Sequence, residues 1–258
     1  MNRKDVCGSS GLPRPFRLVE VRRENRSVCS FFFDQEMPAR PGQFVMAWLP
    51  GLSEKPFSLA GASPVRLTVA AVGAFSQAVH ALRPGDRLWL RGPLGRGFTL
   101  PPEGSRQKLV LVGGGYGTAP LLFLARQAQA AGHTVEVVIG AKTGADLLLG
   151  EEFEQMGISP HLTTEDGSAG RAGVVTAVLV DLLAAADSPP AVYACGPTGM
   201  LAAVDEVCRQ AGAAVQLAWE AYMRCGIGLC GSCEVGEGWL VCLDGPVFGQ
   251  NPVLNPPG

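Results

Sequence analysis

The sequence predicts a β-barrel joined to an α/β domain with a parallel sheet, followed by a short cysteine-rich segment. Three observations carry this. Residues 17 to about 100 fall into short apolar runs punctuated by turn residues. After Pro101-Pro102-Glu103-Gly104 the runs alternate with helical patterns. From Ala221 the periodicity stops and four cysteines crowd together.

The first runs are RLVEVR, SVCSFFF, QFVMAWL, PFSLA, VRLTVAAV and DRLWLRG, rich in Val, Leu and Phe and separated by Pro41-Gly42, Gly51 and Pro84-Gly85. Helical spacing of Val79 and Leu82 predicts one short helix over 75–82 among them. Six antiparallel strands with one helix predict a small closed barrel, an arrangement without open edges. From Lys108 the order is KLVLVGG, a helix at TAPLLFLARQAQAAG, TVEVVIG, a short helix over 151–156, and SPHLTT. VVTAVLVDLLAAA, AVYACG, MLAAVDEVCRQAG and AVQLAWE complete it. This βαβ series predicts a Rossmann-like parallel sheet with helices on both faces. The predicted units are 14–104, 105–220 and 221–258.

Composition narrows the function. The chain has 258 residues, with 21 Lys+Arg against 23 Asp+Glu, so it lacks the basic excess on which nucleic-acid binding depends. Glycine, at 34 residues, is about twice as frequent as the ~7% average, which points to tight turns and backbone brought close to ligands. The start, MNRKDVCGSSGLPRPF, has no apolar run of signal-peptide type, and the apolar stretch Leu109–Ala125 is too short and too glycine-broken to span a bilayer. These features lead to the expectation of a soluble cytoplasmic protein.

Of eight cysteines, Cys7, Cys29, Cys195 and Cys208 are scattered, while Cys225, Cys230, Cys233 and Cys242 are spaced C-x4-C-x2-C-x8-C. In a reducing compartment such crowding points to metal rather than disulfides. The first three match the plant-type [2Fe–2S] spacing, and the EVGEGWLV segment predicts a hairpin that returns Cys242 to the others. Gly226, Gly228 and Gly231 allow the loop to wrap a cluster and aim N–H groups at sulfur. A structural zinc site with the same four thiolates is the alternative.

Two further motifs occupy positions where α/β sheets bind ligands. Gly113-Gly114-Gly115-Tyr116-Gly117 follows a strand and opens a helix, the setting for a dinucleotide pyrophosphate, although the spacing is not a strict G-x-G-x-x-G. Cys195-Gly196-Pro197 follows a later strand, and there Cys195 reads equally as a buried small apolar residue. In the barrel, Lys55-Pro56-Phe57-Ser58 combines a cation and a hydroxyl, and Ser76 is placed to cap the short helix or to meet a phosphate. His80, His133 and His161 are isolated and carry no assignment. No acidic residue stands at the end of the second α/β strand, where Ala141-Lys142-Thr143 follow, so the sequence gives no nucleotide preference.

Taken in order, K-P-F-S, GGGYGTAPL, CGPTGM, the cysteine quartet and Asp244-Gly245-Pro246-Val247-Phe248 resemble the ferredoxin reductase superfamily. The tail MRCGIGLCGSC…VCLDGPVF is similar to the electron-transfer subunits of NAD-dependent dihydroorotate dehydrogenase B. The resemblance implies FAD held by Lys55, Pro56, Phe57 and Ser58, by Thr68, Val69 and Ala70, and near its pyrophosphate by Phe75 and Ser76. It implies NAD held by Gly114, Gly115, Gly117, Cys195, Gly196 and Pro197, and a [2Fe–2S] cluster on Cys225, Cys230, Cys233 and Cys242. It also implies a partner, an FMN-containing dihydroorotate dehydrogenase catalytic subunit, in a heterotetramer with two of each. Electrons would pass from that FMN to the cluster, to FAD and to NAD+, in pyrimidine (UMP) biosynthesis. Three departures stand out: Lys55 replaces arginine, Phe75 stands where glycine is usual, and the x8 interval is short. Related subunits serve ferredoxin transhydrogenases, hydrogenases or sulfur reductases, and a zinc-stabilised, non-redox binding module is a third reading.

Overall fold

The structure, a computed structural model, describes residues 11–236 and 238–249. Cys7 and residues 250–258 of the predicted cysteine-rich unit lie outside the described residues.

Alternation of inward and outward residues marks two of the barrel strands. In β1 (Arg14–Arg23) Phe16 and Leu18 turn inward while Arg17 and Val19 face out, and in β6 (Arg87–Leu94) Leu88 and Leu90 turn inward between Arg87, Trp89 and Arg91. With β2 (Val28–Phe33), β3 (Phe44–Trp48), β4 (Glu54–Ala62) and β5 (Val65–Ala70) they close in the order β1-β2-β5-β4-β3-β6, every pair antiparallel. Closure pairs β6 with β1, Arg14 opposite Leu90, so no strand is left as an edge. Phe31, Phe33, Val45, Leu59 and Leu67 fill the interior. Helix α1 (Ala74–His80) follows β5, as the spacing predicts.

The α/β unit comprises β7 (Lys108–Gly114), α2 (Thr118–Ala130), β8 (Thr134–Ala141), α3 (Gly150–Gln155), β9 (His161–Thr164), β10 (Arg171–Ala172), α4 (Val175–Ala184), β11 (Ala191–Cys195), α5 (Thr198–Ala211) and β12 (Val215–Ala218). β7 is central and buried from Leu109 to Gly114, which is why it reads as one continuous apolar run. Its alternate residues serve two cores. Leu109 and Leu111 meet α2, while Val110 and Val112 share a core with residues of α4 and α5.

The cysteine-rich segment forms the expected hairpin, β13 (Glu234–Val235) with β14 (Trp239–Leu240), and then does something the sequence did not suggest. Its last strand, β15 (Val247–Phe248), adds antiparallel to β12, giving a seven-stranded sheet β10-β9-β8-β7-β11-β12-β15. Two-residue strands such as β10 and β15 have too few positions to show a period. The same segment reaches the barrel unit, where Arg96 donates its N–H to the Gly245 carbonyl at 2.5 Å, and the end of β12, where Trp219 donates to the Pro246 carbonyl at 2.8 Å.

A buried ionic cluster ties the two large units together. Arg66 on β5 is 2% exposed, and it donates to Glu24 at 3.1 Å, to Glu152 of α3 at 2.7 and 2.8 Å, and to Ser30. Arg22 and Arg126 also pair with Glu152.

Candidate functional site

A cavity of about 250 Å³ opens where the barrel, the α/β unit and the cysteine-rich segment meet. The barrel wall is Pro56, Phe57 and Ser58 of β4 with Thr68, Val69 and Ala70 of β5, six of the residues expected around FAD. The opposite wall brings Gly117 and Cys195 from the two predicted nucleotide loops. Those loops touch: a Cβ on Gly117 would lie 2.4 Å from the Cys195 carbonyl oxygen, so only glycine allows the crossing. The remaining wall includes Tyr116, Trp219, Glu220 and Met223, which sequence reasoning missed. Glu220 was findable, since it follows β12 at the carboxyl edge of the sheet, where ligands of such sheets bind.

The chemistry of this cavity is polar at one rim and neutral inside. Desolvation pushes the Glu220 carboxyl above the ordinary range, and Tyr116 donates its hydroxyl to Glu220 Oε2 at 3.4 Å. The Glu220 charge, then burial, raises Tyr116 in turn. Burial, with a smaller push from Glu220, drives the Cys195 thiol far up, so it presents an uncharged surface. Trp219 is buried and its indole N–H has no partner. On the cavity walls, the apolar Pro56, Phe57, Val69, Ala119 and Trp219 beside Ser58 and Thr68 fit a flat aromatic ring with polar edges, such as that of a flavin.

Three residues expected around the flavin stand elsewhere. Lys55 does not line the cavity; its Nζ lies 5.5 Å from the centre of the Tyr222 ring. Phe75 is buried behind Phe57, the rings stacked with centroids 6.0 Å apart. Ser76 caps α1: its hydroxyl accepts the Val72 and Gly73 N–H groups and donates to the Gly73 carbonyl, each at 3.0 Å. Of the two roles open to it in the sequence, it takes the local one, because an N-terminal helix turn has free N–H groups to satisfy.

A second cavity, about 620 Å³, lies at the carboxyl edge of the sheet and is lined by Gly114, Gly115 and Pro197 among the expected residues. Gly196 packs beneath, near Gly114 and Met200. The end of β8 holds no acid, as the sequence shows, but the fold brings two close by. Acidic groups are present: Asp146 and Glu165 line the cavity beside Lys142. Asp146 is brought there by the turn after β8, where Thr143 donates to it at 2.8 Å, and Arg26 from the barrel pairs with it at 3.1 Å. Neither acid immediately follows the end of β8, so a search at that position misses both.

The four cysteines lie together as two pairs. The Cys225 and Cys230 thiols lie close enough to interact, Cys230 donates to Ser232 Oγ at 3.4 Å, and Cys242 donates its N–H to Cys233 Sγ at 3.4 Å. Cys225 Sγ accepts N–H groups from Ile227 and Leu229, and Cys242 Sγ accepts one from Gly228 at 3.2 Å. Hydrogen bonding with Ser232, and then with Cys225, brings the exposed Cys230 thiol down to about 6. Burial pushes Cys242 up. Among the described residues no three His, Cys, Asp or Glu gather tightly enough to hold a single ion. Two cysteine pairs with backbone N–H groups aimed at sulfur fit a binuclear iron–sulfide cluster, which needs two thiolates on each iron.

Comparison with known proteins agrees with this geometry. The family model for the iron–sulfur cluster binding domain of dihydroorotate dehydrogenase B matches residues 220–254, and the oxidoreductase NAD-binding domain matches 111–206. A Thermococcus kodakarensis protein named "Probable dihydroorotate dehydrogenase B (NAD(+)), electron transfer subunit" is 43% identical over 91% of this chain and 95% of its own. Its namesake in Methanopyrus kandleri is 40% identical over 92% and 90%. Among solved structures, an NADH-dependent reduced ferredoxin-NADP oxidoreductase superposes with a TM-score of 0.80 at 29% identity, covering 93% of this chain and 89% of that one. A flavohemoglobin from Malassezia yamatoensis shares the fold alone, at 18% identity and a TM-score of 0.69, over 83% of this chain and 63% of its own. The chain is therefore an oxidoreductase with an iron–sulfur cluster binding domain and a nicotinamide-nucleotide domain. With relatives this similar over nine-tenths of its length, it belongs to the family of electron transfer subunits of dihydroorotate dehydrogenase B (NAD(+)).

Proposed function

We propose that this chain relays electrons from a separate, FMN-containing dihydroorotate dehydrogenase subunit through a [2Fe–2S] cluster and FAD to NAD+ in pyrimidine biosynthesis, and has no dihydroorotate site of its own. The observation that carries the reading is the composition of the smaller cavity. Its walls come at once from the barrel strands matched to FAD, from both nucleotide loops, and from the cysteine-rich segment through Met223 and Pro246.

In this reading residues 14–104 hold FAD, 105–220 the nicotinamide nucleotide and 221–258 the cluster. Pro56, Phe57, Ser58, Thr68, Val69 and Ala70 would hold the flavin, with Phe75 setting the Phe57 ring from behind. Gly114, Gly115 and Pro197 would meet NAD, with Gly117, Cys195 and Gly196 shaping the junction of the two cavities. Cys225, Cys230, Cys233 and Cys242 would ligate iron. A bound flavin exchanges electrons in pairs with a nicotinamide and singly with a cluster, which is why it belongs between the two. The protein supplies the dry walls: Ala119, Pro120 and Trp219 are buried, and Cys195 adds no charge. A heterotetramer with two of each subunit, in the cytoplasm, completes the reading. Among the described residues no helix is long and apolar enough to cross a membrane.

The test is to purify the chain anaerobically alone and with an FMN-containing catalytic subunit, and to assay NAD+ reduction by dihydroorotate. Activity only in the complex supports the reading. Dihydroorotate oxidation by this chain alone would sink it. Association instead with a ferredoxin-dependent enzyme, the activity named for the structure with the 0.80 TM-score, would keep the relay and change its partner.

A further inference from the structure

Arg91 on β6 has 12% of its side chain exposed, so its charge needs a partner and its N–H groups need acceptors. Glu54, at the start of β4, meets it in a two-point clamp: Nε to Oε1 at 3.1 Å and Nη2 to Oε2 at 2.9 Å. This is the fork that arginine makes with a carboxylate and lysine cannot. The same Nη2 donates to the backbone carbonyl of Cys225 at 2.9 Å. One residue further, Gly226 (φ +68°) lies so close to the barrel that a Cβ there would stand 2.9 Å from Met46 Cγ and 3.3 Å from Leu94 Cδ1. The residue after Glu54 is Lys55, whose ammonium lies over Tyr222, three positions before Cys225. Two adjacent residues of β4 thus grip the cysteine segment, one through Arg91 and one through a ring face. The next three residues of that strand line the smaller cavity.

We propose that Arg91, clamped by Glu54, is a positioning residue that fixes the Cys225 loop to the flavin-lining strand, and that the pair's charges bias the reduction potential of the cluster. This rests on the reading of the four cysteines as [2Fe–2S] ligands. Arg91 touches no sulfur and acts through the Cys225 backbone. Its electrostatic signature has a definite sign, because iron–sulfur potentials follow nearby charge and hydrogen bonding. In the intact pair each charge offsets the other, so the bias is the balance between them and removing one partner unmasks the other. Glu54→Gln leaves the guanidinium uncompensated, which favours the added electron and raises the potential. Arg91→Met leaves the carboxylate uncompensated and lowers it. Arg91→Lys keeps the charge but loses the fork, and returns the potential toward that of the wild type.

The experiment is a redox titration of the full chain, anaerobically purified with FAD and cluster, followed by the electron paramagnetic resonance signal of the reduced cluster. Opposite shifts for Glu54→Gln and Arg91→Met are the expected result. Shifts of one sign, or no shift, would overturn the proposal. Should Arg91→Met come without its cluster, the near-isosteric Glu54→Gln decides alone: a raised potential supports the clamp, and an unchanged or lowered one refutes it. A wild-type protein without the signal overturns the cluster reading and the clamp with it, whereas a wild-type signal with an unresponsive Glu54→Gln overturns the clamp alone.

Discussion

Gly117 shows how much one absent methyl group can decide. Its φ of −61° suits any residue, so the requirement is space: an alanine Cβ would meet the Cys195 carbonyl oxygen at 2.4 Å and its carbon at 2.6 Å, both backbone atoms that cannot rotate away. Gly117→Ala should cost about 1–3 kcal/mol by overpacking and loosen both cavities. Gly199→Ala, where nothing lies within 4 Å and the position is helical, should gain about 0.5–1 kcal/mol. Thermal unfolding of the two variants checks the contrast, and equal effects would contradict it. At this scale the cysteine quartet was legible because its ligands sit at fixed short intervals along the chain. The settings of Lys55 and Asp146 were not, because their partners Tyr222 and Arg26 come from distant parts of the sequence. Ser76 could be placed at a helix start, but only the structure shows its hydroxyl committed there.

Among the elements, α3 and β5 carry the interface between the large units through Glu152 and Arg66. Burial alone would raise the Glu152 carboxyl, but its hydrogen bonds with Arg66, followed by the charges of Arg66, Arg22 and Arg126, hold it below its ordinary value. Glu152→Ala would take its two-point partner from a guanidinium that is 2% exposed and leave it only Glu24 and Ser30, at a cost of about 1–3 kcal/mol. Because Thr68 sits two residues from Arg66 and its hydroxyl bonds Ser30 at 2.8 Å, the variant should also retain less FAD. Denaturant titration and flavin content measure both effects. The depressed pKa fixes the sign with pH: the unfolded state binds the proton first, so this contribution is full above the ordinary value of 4.5 and disappears as pH falls through the lower folded value. Glu152→Gln should flatten that acid-side loss, and an unchanged slope would contradict the assignment. Most barrel and sheet strands were readable because each spans several positions with an alternating or a continuous apolar pattern. β15 was not, since its two residues pair with β12 only after the cysteine hairpin has brought them round.

For the whole molecule, the decisive feature is convergence. Strands β4 and β5, the loops after β7 and β11, and the segment after β12 bring Phe57, Val69, Gly117, Cys195 and Met223 to one cavity, with the Cys225 backbone held to the barrel by Arg91. The order of motifs along the chain announced a flavin, a nicotinamide and a cluster, but their meeting point depends on the antiparallel return of Val247–Phe248 and on the Gly245–Arg96 contact. Iron, acid-labile sulfide and flavin analysis of the anaerobically purified full chain tests this most directly. About two irons, two sulfides and one FAD per chain are expected, with the iron lost when Cys233 is replaced by serine. A colourless protein holding zinc on the same four thiolates, without flavin, would contradict the account.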